Sequence, residues 1–502
     1  MNKQFYLLFF IFCWQVSLQG QNFNERYRLD NLAVVFEDVF VQNDTVKVVG
    51  INSLALGSYY ITKISISNFS LTGTFYGNTY AYFDSTKSSY PHVTIRRDNK
   101  VLVIGSGGYS PSLVSWGVIC MMDEHFNPLW IKDFKEGTES AFTAHGGVIN
   151  GDGTITVVAV KTGYDEDTYL IKFDSTGHQL WVKDYTNDGL SFQTRSMLGI
   201  NDSTYLLGSN VYTKEAGPSF DRHGIMKVDS SGNILQFWQD TLGVEGRGIK
   251  KMLATDDGGV IFVGKRYYQE DGVLYSIPYA ARLDSTFHKV WEMDVGMEAA
   301  APTIRDGGFY DAIKLQDGNY VAVGRKGNVP KVIDGVTYYK RQGLVAKFTG
   351  DGEILWERGH NYFPEYGVNA IEYFQGVVEL ADGGLIACGV SERLKDVGNV
   401  PQQGWLVKML PNGLVDSVNM VYDLGVELST ELIVYPNPTS AELNIKIATG
   451  QIKTVQFFTA MGEPVYSEEF QAPTVSISVS DLPKGVYFIL VNGSLVQRFI
   501  RK

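Results

Sequence analysis

The sequence predicts an all-β protein: a seven-bladed β-propeller followed by a small Ig-like antiparallel β-sandwich. Three observations predict it. A turn, an apolar run and a closing glycine or alanine return seven times between residues 43 and 389, which is the signature of propeller blades. The stretch from Leu432 to Lys502 alternates apolar and polar residues in short segments cut by Gly and Pro turns, as a small sandwich requires. The 53 glycines, 29 tyrosines and 28 phenylalanines of the 502 residues suit many short strands joined by tight turns.

Residues 1–20 read as a secretory signal peptide. Lys3 is a positive n-region, Phe5 to Trp14 is the apolar core, and Ser17-Leu18-Gln19-Gly20 offers a small residue for cleavage before Gln21. The apolar run is too short and wrongly flanked for a membrane span. Cys13 lacks the context of a lipoprotein signal. No later segment approaches the roughly twenty apolar residues of a transmembrane helix, so the mature chain is expected not to span a membrane. Net charge is −12, or −13 once Lys3 leaves, with no basic stripe, which argues against nucleic acid and anionic membranes as partners. Cys120 and Cys388 lie in apolar strands of different repeats and read as two buried thiols.

Residues 21–422 are the expected propeller. The first half of each repeat is clearest at Asp257-Gly258-Gly259 to Gly264, Asp317-Gly318-Asn319 to Gly324 and Asp382-Gly383-Gly384 to Gly389. Weaker copies end at Gly50, Gly105, Ala159 and Gly208, and successive ends are 55, 54, 49, 56, 60 and 65 residues apart. The second half is a strand, an Asp-x-x-Gly turn and a tryptophan, as in Tyr169 to Trp181. Trp130, Trp238, Trp291 and Trp356 match Trp181, and Gly177, Gly232, Gly352 and Gly413 keep the turn in register. Each unit thus reads as strands A to D, with A–B and C–D joined by tight hairpins whose glycines accept positive φ. Continuous Val, Ile and Phe in strand B suit burial on both faces, and the tryptophan is expected to pack against the next blade.

Insertions collect between strands B and C, at residues 209–222, 266–279, 325–342 and 391–403, and between blades at 296–310 and 359–373. In a four-stranded blade both connections emerge on one face, where variable loops on a rigid scaffold place a binding site. That face is rich in aromatics: Tyr109, Trp116, Tyr164, Tyr212, Tyr267, Tyr268, Tyr338, Tyr339, Tyr362 and Tyr366. Such rings suit sugars and protein hot spots, and equally serve as small cores of the loops themselves.

Signals for catalysis are poor, and neither a catalytic residue, a metal site nor a cofactor is assigned. His92, His125, His145, His178, His223, His288 and His360 are scattered with no paired ligand spacing. Asp165-Glu166-Asp167 is acidic but lacks the alternating oxygens of a calcium loop. There is no nucleophile elbow and no phosphate cradle. A glycosidase would need two converging carboxylates, for which Asp306, Asp311, Glu357 and Glu365 are the first candidates.

Residues 423–431 read as a linker, and residues 432–502 as a separate module. Four motifs stand in order in that module: Tyr435-Pro436-Asn437-Pro438, then Gly462 within Ala460 to Tyr466, then Asp481 to Tyr487 around Gly485, then the basic end from Arg498 to Lys502. Their order and spacing resemble the type A C-terminal sorting domain of type IX secretion cargo. The resemblance implies the type IX machinery as a partner, passage through the periplasm, and a final place outside the cell or on the outer-membrane surface. The repeats are similar to the delta-60 and quinoprotein-like propeller classes, without the Trp-Asp of WD40 or the double glycine of kelch. The expected function is a non-catalytic binding protein, secreted or at the cell surface, that takes a glycan or protein on its long-loop face. The alternative is a polysaccharide hydrolase or lyase using carboxylates on that face.

Overall fold

The computed structural model describes residues 22–415 and 432–502, apart from the connecting stretches 28–33, 57–58, 82–87, 109–114, 136–140, 163–166, 186–188, 214–221, 241–245, 271–272, 297–306, 334–335, 363–369, 394–401, 448–449, 460–463 and 493–494. The signal-peptide and linker expectations, and Asp165 and Glu166, lie outside the described residues.

Among the described residues, seven four-stranded antiparallel sheets follow one another up to Met409. The first is typical: Val34–Gln42, Thr45–Leu56, Tyr59–Ser70 and Phe75–Ala81 pair in chain order. The innermost strands of the other six are Ser88–Arg97, Ala141–Ile149, Leu190–Asn201, Gly246–Ala254, Gly308–Lys314 and Ala370–Glu379. Each packs on its neighbours, and Val34–Gln42 packs on Ala370–Glu379, so the sheets form a closed ring. This is a β-propeller, and its core lies between sheets. One cluster joins Leu102, Ile119 and Met121 of the second sheet to Phe142, Val157 and Ile171 of the third. Each such aliphatic side chain contributes about 1.5–3 kcal/mol by leaving water.

The ring is closed by a strand that the repeat pattern does not contain. Phe23–Tyr27 pairs with Gln403–Met409 as the fourth strand of the seventh sheet, with Phe23 opposite Lys408 and Tyr27 opposite Gly404. Trp405 Nε1 donates to Asn24 Oδ1 at 2.6 Å, and the Tyr27 hydroxyl donates to Gly73 O at 2.6 Å in the first sheet.

The recurrent tryptophans do pack against the next sheet. Trp130 Nε1 donates to Ser175 O at 3.1 Å and Trp291 Nε1 to Gly350 O at 2.9 Å, each reaching the tight turn of the following sheet. The turn glycines take φ near +80°, and they also make room for the indole. A Cβ at Gly352 would sit 2.8 Å from Trp291, and one at Gly177 would sit 2.9 Å from Trp130. In the fifth sheet Phe287 holds the same turn position at φ 66° and packs in the cluster that includes Trp238.

Two of the expected B–C loops are instead extensions of the hairpins. Val260–Glu270 pairs with Val273–Leu283 as far as Glu270 opposite Val273. Tyr320–Ile333 pairs with Val336–Phe348 as far as Ile333 opposite Val336. Alternating side chains there satisfy a strand as well as a loop, and the backbone gains ladder hydrogen bonds by continuing. Cys120 and Cys388 are fully buried thiols, and burial pushes Cys120 up to about 12.

From Leu432 onward, seven strands form one sheet of three and one of four. Leu443, Ile445 and Ile477 from the first, with Val455, Phe457, Ile489 and Phe499 from the second, share one core. The two sheets are therefore packed face to face as a sandwich.

The glycine–tryptophan contact is testable. Gly352→Ala adds a Cβ against Trp291 at positive φ, whereas Gly318→Ala adds one at φ 84° into open space. Denaturant unfolding of the mature protein should show a loss of about 1 kcal/mol for Gly318→Ala and about 2–4 kcal/mol for Gly352→Ala. Equal losses would mean that the indole does not constrain the turn.

Candidate functional site: a polar ring around the axis

At the same depth in every sheet each innermost strand carries one residue more than the strand it pairs with; those of the fourth and fifth sheets carry a second such irregularity, at Ile200 and Gly248. In the first sheet Phe36 faces Gly50 and Asp38 faces Val49, so Glu37 is the extra residue. The same irregularity falls at His92, His145, Arg195, Lys250, Tyr310 and Gln375 in the second to seventh sheets. A bulge bends the strand and re-aims its side chains. Seven bulges around a ring put one polar residue per sheet at the same depth, and the side chains of Glu37, His92, His145, Arg195 and Lys250 lie close enough to act on one another. His92 and Lys250 are exposed although they lie on innermost strands, so the axis is open to solvent.

This geometry explains the glycine that closes the repeat. Gly50, Gly105, Gly264, Gly324 and Gly389 lie opposite the residue just before the bulge. A Cβ at any of them would collide with a backbone carbonyl of the bulged strand: that of Val35, Tyr90, Gly248, Gly308 or Tyr373. The glycine is therefore the footprint of the bulge on the neighbouring strand.

Charge is unevenly distributed around the ring. His92, His145, Arg195 and Lys250 occupy four consecutive sheets. The rings of His92 and His145 are 5.2 Å apart, and His92 Nε2 is 2.9 Å from Ser106 Oγ. Arg195 Nη1 donates to His145 Nε2 at 2.6 Å, and because a guanidinium only donates, that nitrogen carries no proton. Although His92 reaches solvent along the axis, enclosure by the surrounding sheets first, then the Arg195 charge, lowers it to about 4, and the same causes hold the half-buried His145 well below the usual histidine range. Lys250 reaches solvent along the axis, but enclosure by the surrounding sheets, then the charges of Arg195 and Lys265, lowers it to about 8, with Glu37 opposing. Glu37 is pushed up to about 7 by burial and then by Asp38, with Lys250 pulling it down.

One residue farther along the strands is a second layer. Lys251 Nζ lies 2.9 Å from Asp311 Oδ1, and Val377 N donates to Asp311 Oδ2 at 3.2 Å. Asp38 is raised to about 7 by burial and then by Asp311, against the pull of Lys251. Acidic groups of the first and sixth sheets thus meet a lysine of the fifth.

The residues expected to form the site are placed as follows. Trp116 and Tyr212 are buried at 6% each, and Tyr362 is half-buried with the Arg26 guanidinium 5.9 Å from its ring centroid. Tyr267 and Tyr268 lie on the fifth-sheet hairpin, opposite Ser276 and Tyr275, and Tyr338 and Tyr339 lie on the sixth-sheet hairpin. Tyr109, Tyr164 and Tyr366 lie outside the described residues. Of the four acidic candidates, Asp311 belongs to the axial layer, Glu357 Oε1 accepts from Lys326 Nζ at 2.7 Å, and Asp306 and Glu365 lie outside the described residues. Missing from the sequence expectation is the ring itself. Its signal is positional: the axial residue precedes the closing glycine or alanine by 13 or 14 residues, as 37 precedes 50 and 250 precedes 264.

In the tail the motifs converge on one edge. The Ile500 N–H donates to Asn437 Oδ1 at 2.9 Å, Thr439 N donates to Ile500 O at 2.9 Å, and Lys502 N donates to Thr439 O at 2.8 Å. Arg501 Nε donates to Val479 O at 2.8 Å, just before Asp481, and the Tyr487 hydroxyl donates to Pro483 O at 2.8 Å. Tyr435, Pro436, Asn437, Pro438, Asp481 and Lys502 are exposed along this edge, and the peptide bonds before Pro436 and Pro438 are cis. Gly485 and Arg498 lie on the paired strands beside it, and Gly462 lies outside the described residues.

Fold and tail together define an exported β-propeller protein. Residues 433–501 match the family described as secretion system C-terminal sorting domain, so the tail is a type IX sorting domain. It marks the chain for export to the cell surface or extracellular space and implies contact with the secretion machinery. No curated protein matches the chain. Similar solved structures include the Pan2 WD40 domain of Neurospora crassa, at 9% identity over 75% of this chain and 89% of that one, with a TM-score of 0.41. The polysaccharide lyase Uly1 is similar at 10% identity over 79% and 94%, with a TM-score of 0.42. The β-propeller domain of the Trilobed protease from Pyrococcus furiosus is similar at 10% identity over 76% and 94%, with a TM-score of 0.39. Among the described residues no helix is long and apolar enough to cross a membrane, and no cluster of three or more His, Cys, Asp or Glu is placed to hold a metal ion.

Lys250 offers a direct check on the ring. At pH 8 an amine with a pKa of about 8 is half neutral, whereas an ordinary lysine is almost wholly protonated. Brief acylation at pH 8 followed by peptide mapping should label Lys250 ahead of the exposed Lys446. Labelling at equal rates would show that the side chain does not sit among the Arg195 and Lys265 charges.

Proposed function

We propose that this protein is a non-catalytic binding protein, secreted or held at the cell surface, whose propeller takes a glycan or protein ligand at the open end of its axis and on the long-loop face around it. On this reading residues 1–20 are a signal peptide, 21–422 a seven-bladed propeller, 423–431 a linker and 432–502 the sorting sandwich, Ig-like in build. The chain crosses the periplasm on its way out. The observation that carries the reading is the axial ring: seven side chains, one from each sheet, held by bulges around a solvent-open centre. Polar groups of different chemistry converging at one place on a rigid scaffold define a ligand seat. Tyr90, 41% exposed, and Tyr373 lie two residues before the bulges of their strands and add aromatic faces beside it.

A second reading has one observation in its favour. Glu37 and Asp38 are carboxyls raised to about 7 beside the axis, as an acid acting on a polysaccharide would be. Asp38, however, shares its surroundings with Asp311 and Lys251, which already form an ion pair. The experiment that separates the readings is a glycan array probed with the mature protein, with the same samples assayed for released sugar. Retention without release is the expected result, and release would establish the enzyme. Removal of residues 432–502 should leave the protein in the periplasm, and normal secretion of the truncated chain would sink the export assignment.

A further inference from the structure

We propose that the arc of His92, His145, Arg195 and Lys250 seats an oxyanion group of the ligand, a carboxylate or sulfate ester carried by an acidic saccharide. The saccharide half of this proposal rests on the binding role above; the anion seat stands on its own geometry. Four consecutive sheets each place a nitrogen-bearing side chain at one depth, in a chain whose net charge is −12. Lys250 is exposed and makes no hydrogen bond or ion pair with another described residue, which leaves its three N–H donors for a ligand. It feels the positive charges of Arg195 and Lys265. Like charges held together repel, and a bound anion relieves that repulsion. A guanidinium such as that of Arg195 matches the paired oxygens of a carboxylate or sulfate.

The other charged groups around the axis do not cancel the arc. Asp311 is taken up by Lys251, and Asp38 faces that pair in the second layer. Tyr310 lies under the Lys265 ammonium, 5.2 Å from its ring centroid, and Gln375 is neutral. Glu37, on the first sheet, is the acid at the depth of the arc, and it is raised to about 7. As pH rises through 7, Glu37 gains a negative charge that repels an anion. As pH rises through 8, Lys250 loses the positive charge that attracts one. His92, lowered to about 4, and His145, held well below the usual range, stay neutral from pH 6 to 9. Glu37 and Lys250 both make anion affinity greater at low pH.

The test titrates the full mature chain with glucuronate, inorganic sulfate and glucose by isothermal calorimetry. Glucuronate and sulfate should bind, glucose at the same concentration should not, and affinity for glucuronate should weaken roughly tenfold or more from pH 6 to pH 9. Lys250→Gln should weaken glucuronate binding and remove the step near pH 8 while leaving Tm unchanged. Glu37→Gln should remove the step near pH 7, a change that a purely structural residue would not produce. Glucose binding as well as glucuronate would overturn the seat. So would wild-type affinity in both Lys250→Gln and Arg195→Gln with Tm intact. If the glycan array retains neutral sugars alone, the anion seat falls and the binding role stands. If no ligand of either kind is held, both fall.

Discussion

One extra residue in each innermost strand is the constraint on which the rest of this propeller depends. A regular strand would alternate its side chains between the two neighbouring sheets and leave the axis lined by whatever the alternation placed there. The bulge breaks the alternation at one depth and places a polar residue there in all seven sheets. The neighbouring strand must then tolerate a carbonyl where a Cβ would be, which is why glycine closes the apolar run within strand B in the first, second, fifth, sixth and seventh sheets. Scaffold and site are thus one feature seen from two strands. Loss of the glycine would disturb the fold, whereas a change of the bulge side chain alters the chemistry of the axis and leaves the ladder intact.

Holding seven sheets at one depth also requires that they not slide past one another. The tryptophan that reaches the next sheet's turn provides this lock where a Gly-Trp pair is present, as at Gly177 and Trp130, Gly352 and Trp291, and Gly413 and Trp356. Closure between the last sheet and the first is a separate matter, because no repeat follows the seventh. There the N-terminal strand serves instead, joining Gln403–Met409 through its ladder and reaching the first sheet through Tyr27 and Gly73. With that strand the seventh sheet has four strands like the other six, its outermost one supplied by the start of the propeller.

Much of this was legible in the sequence, and the parts that were not share a cause. The repeat, the turn glycines, the role of tryptophan and the buried cysteines follow from local chemistry: positive φ, strand period and apolar runs. The axial ring does not. Which residue of an inner strand faces the axis depends on where the ladder slips by one, and nothing in the residues from Val34 to Gln42 distinguishes Glu37 from Asp38 without the partner strand. His92 and His145 look scattered because ligand spacing is counted along the chain, whereas the ring brings residues 53 apart within 5.2 Å. The N-terminal strand was missed for the same reason: Asn24 meets Trp405 across 381 residues. Tyr267 and Tyr338 seemed to lie in loops because alternating polar and aromatic residues fit a loop and a protruding hairpin equally well.

The tail shows the opposite balance between motif and structure. Its four motifs are far more legible than the ring because they are particular residue types in a fixed order, whereas the ring is marked by position alone. The fold adds the reason for their order. Asn437 and Thr439 hold Ile500 and Lys502 in a short parallel register, and Arg501 reaches back to Val479 beside Asp481. The first motif, the third and the last are therefore one surface, built only when the final strand is in place. A truncated or unfolded tail would present the same sequence words without that surface. The edge that gathers these motifs thus forms only as the sandwich folds.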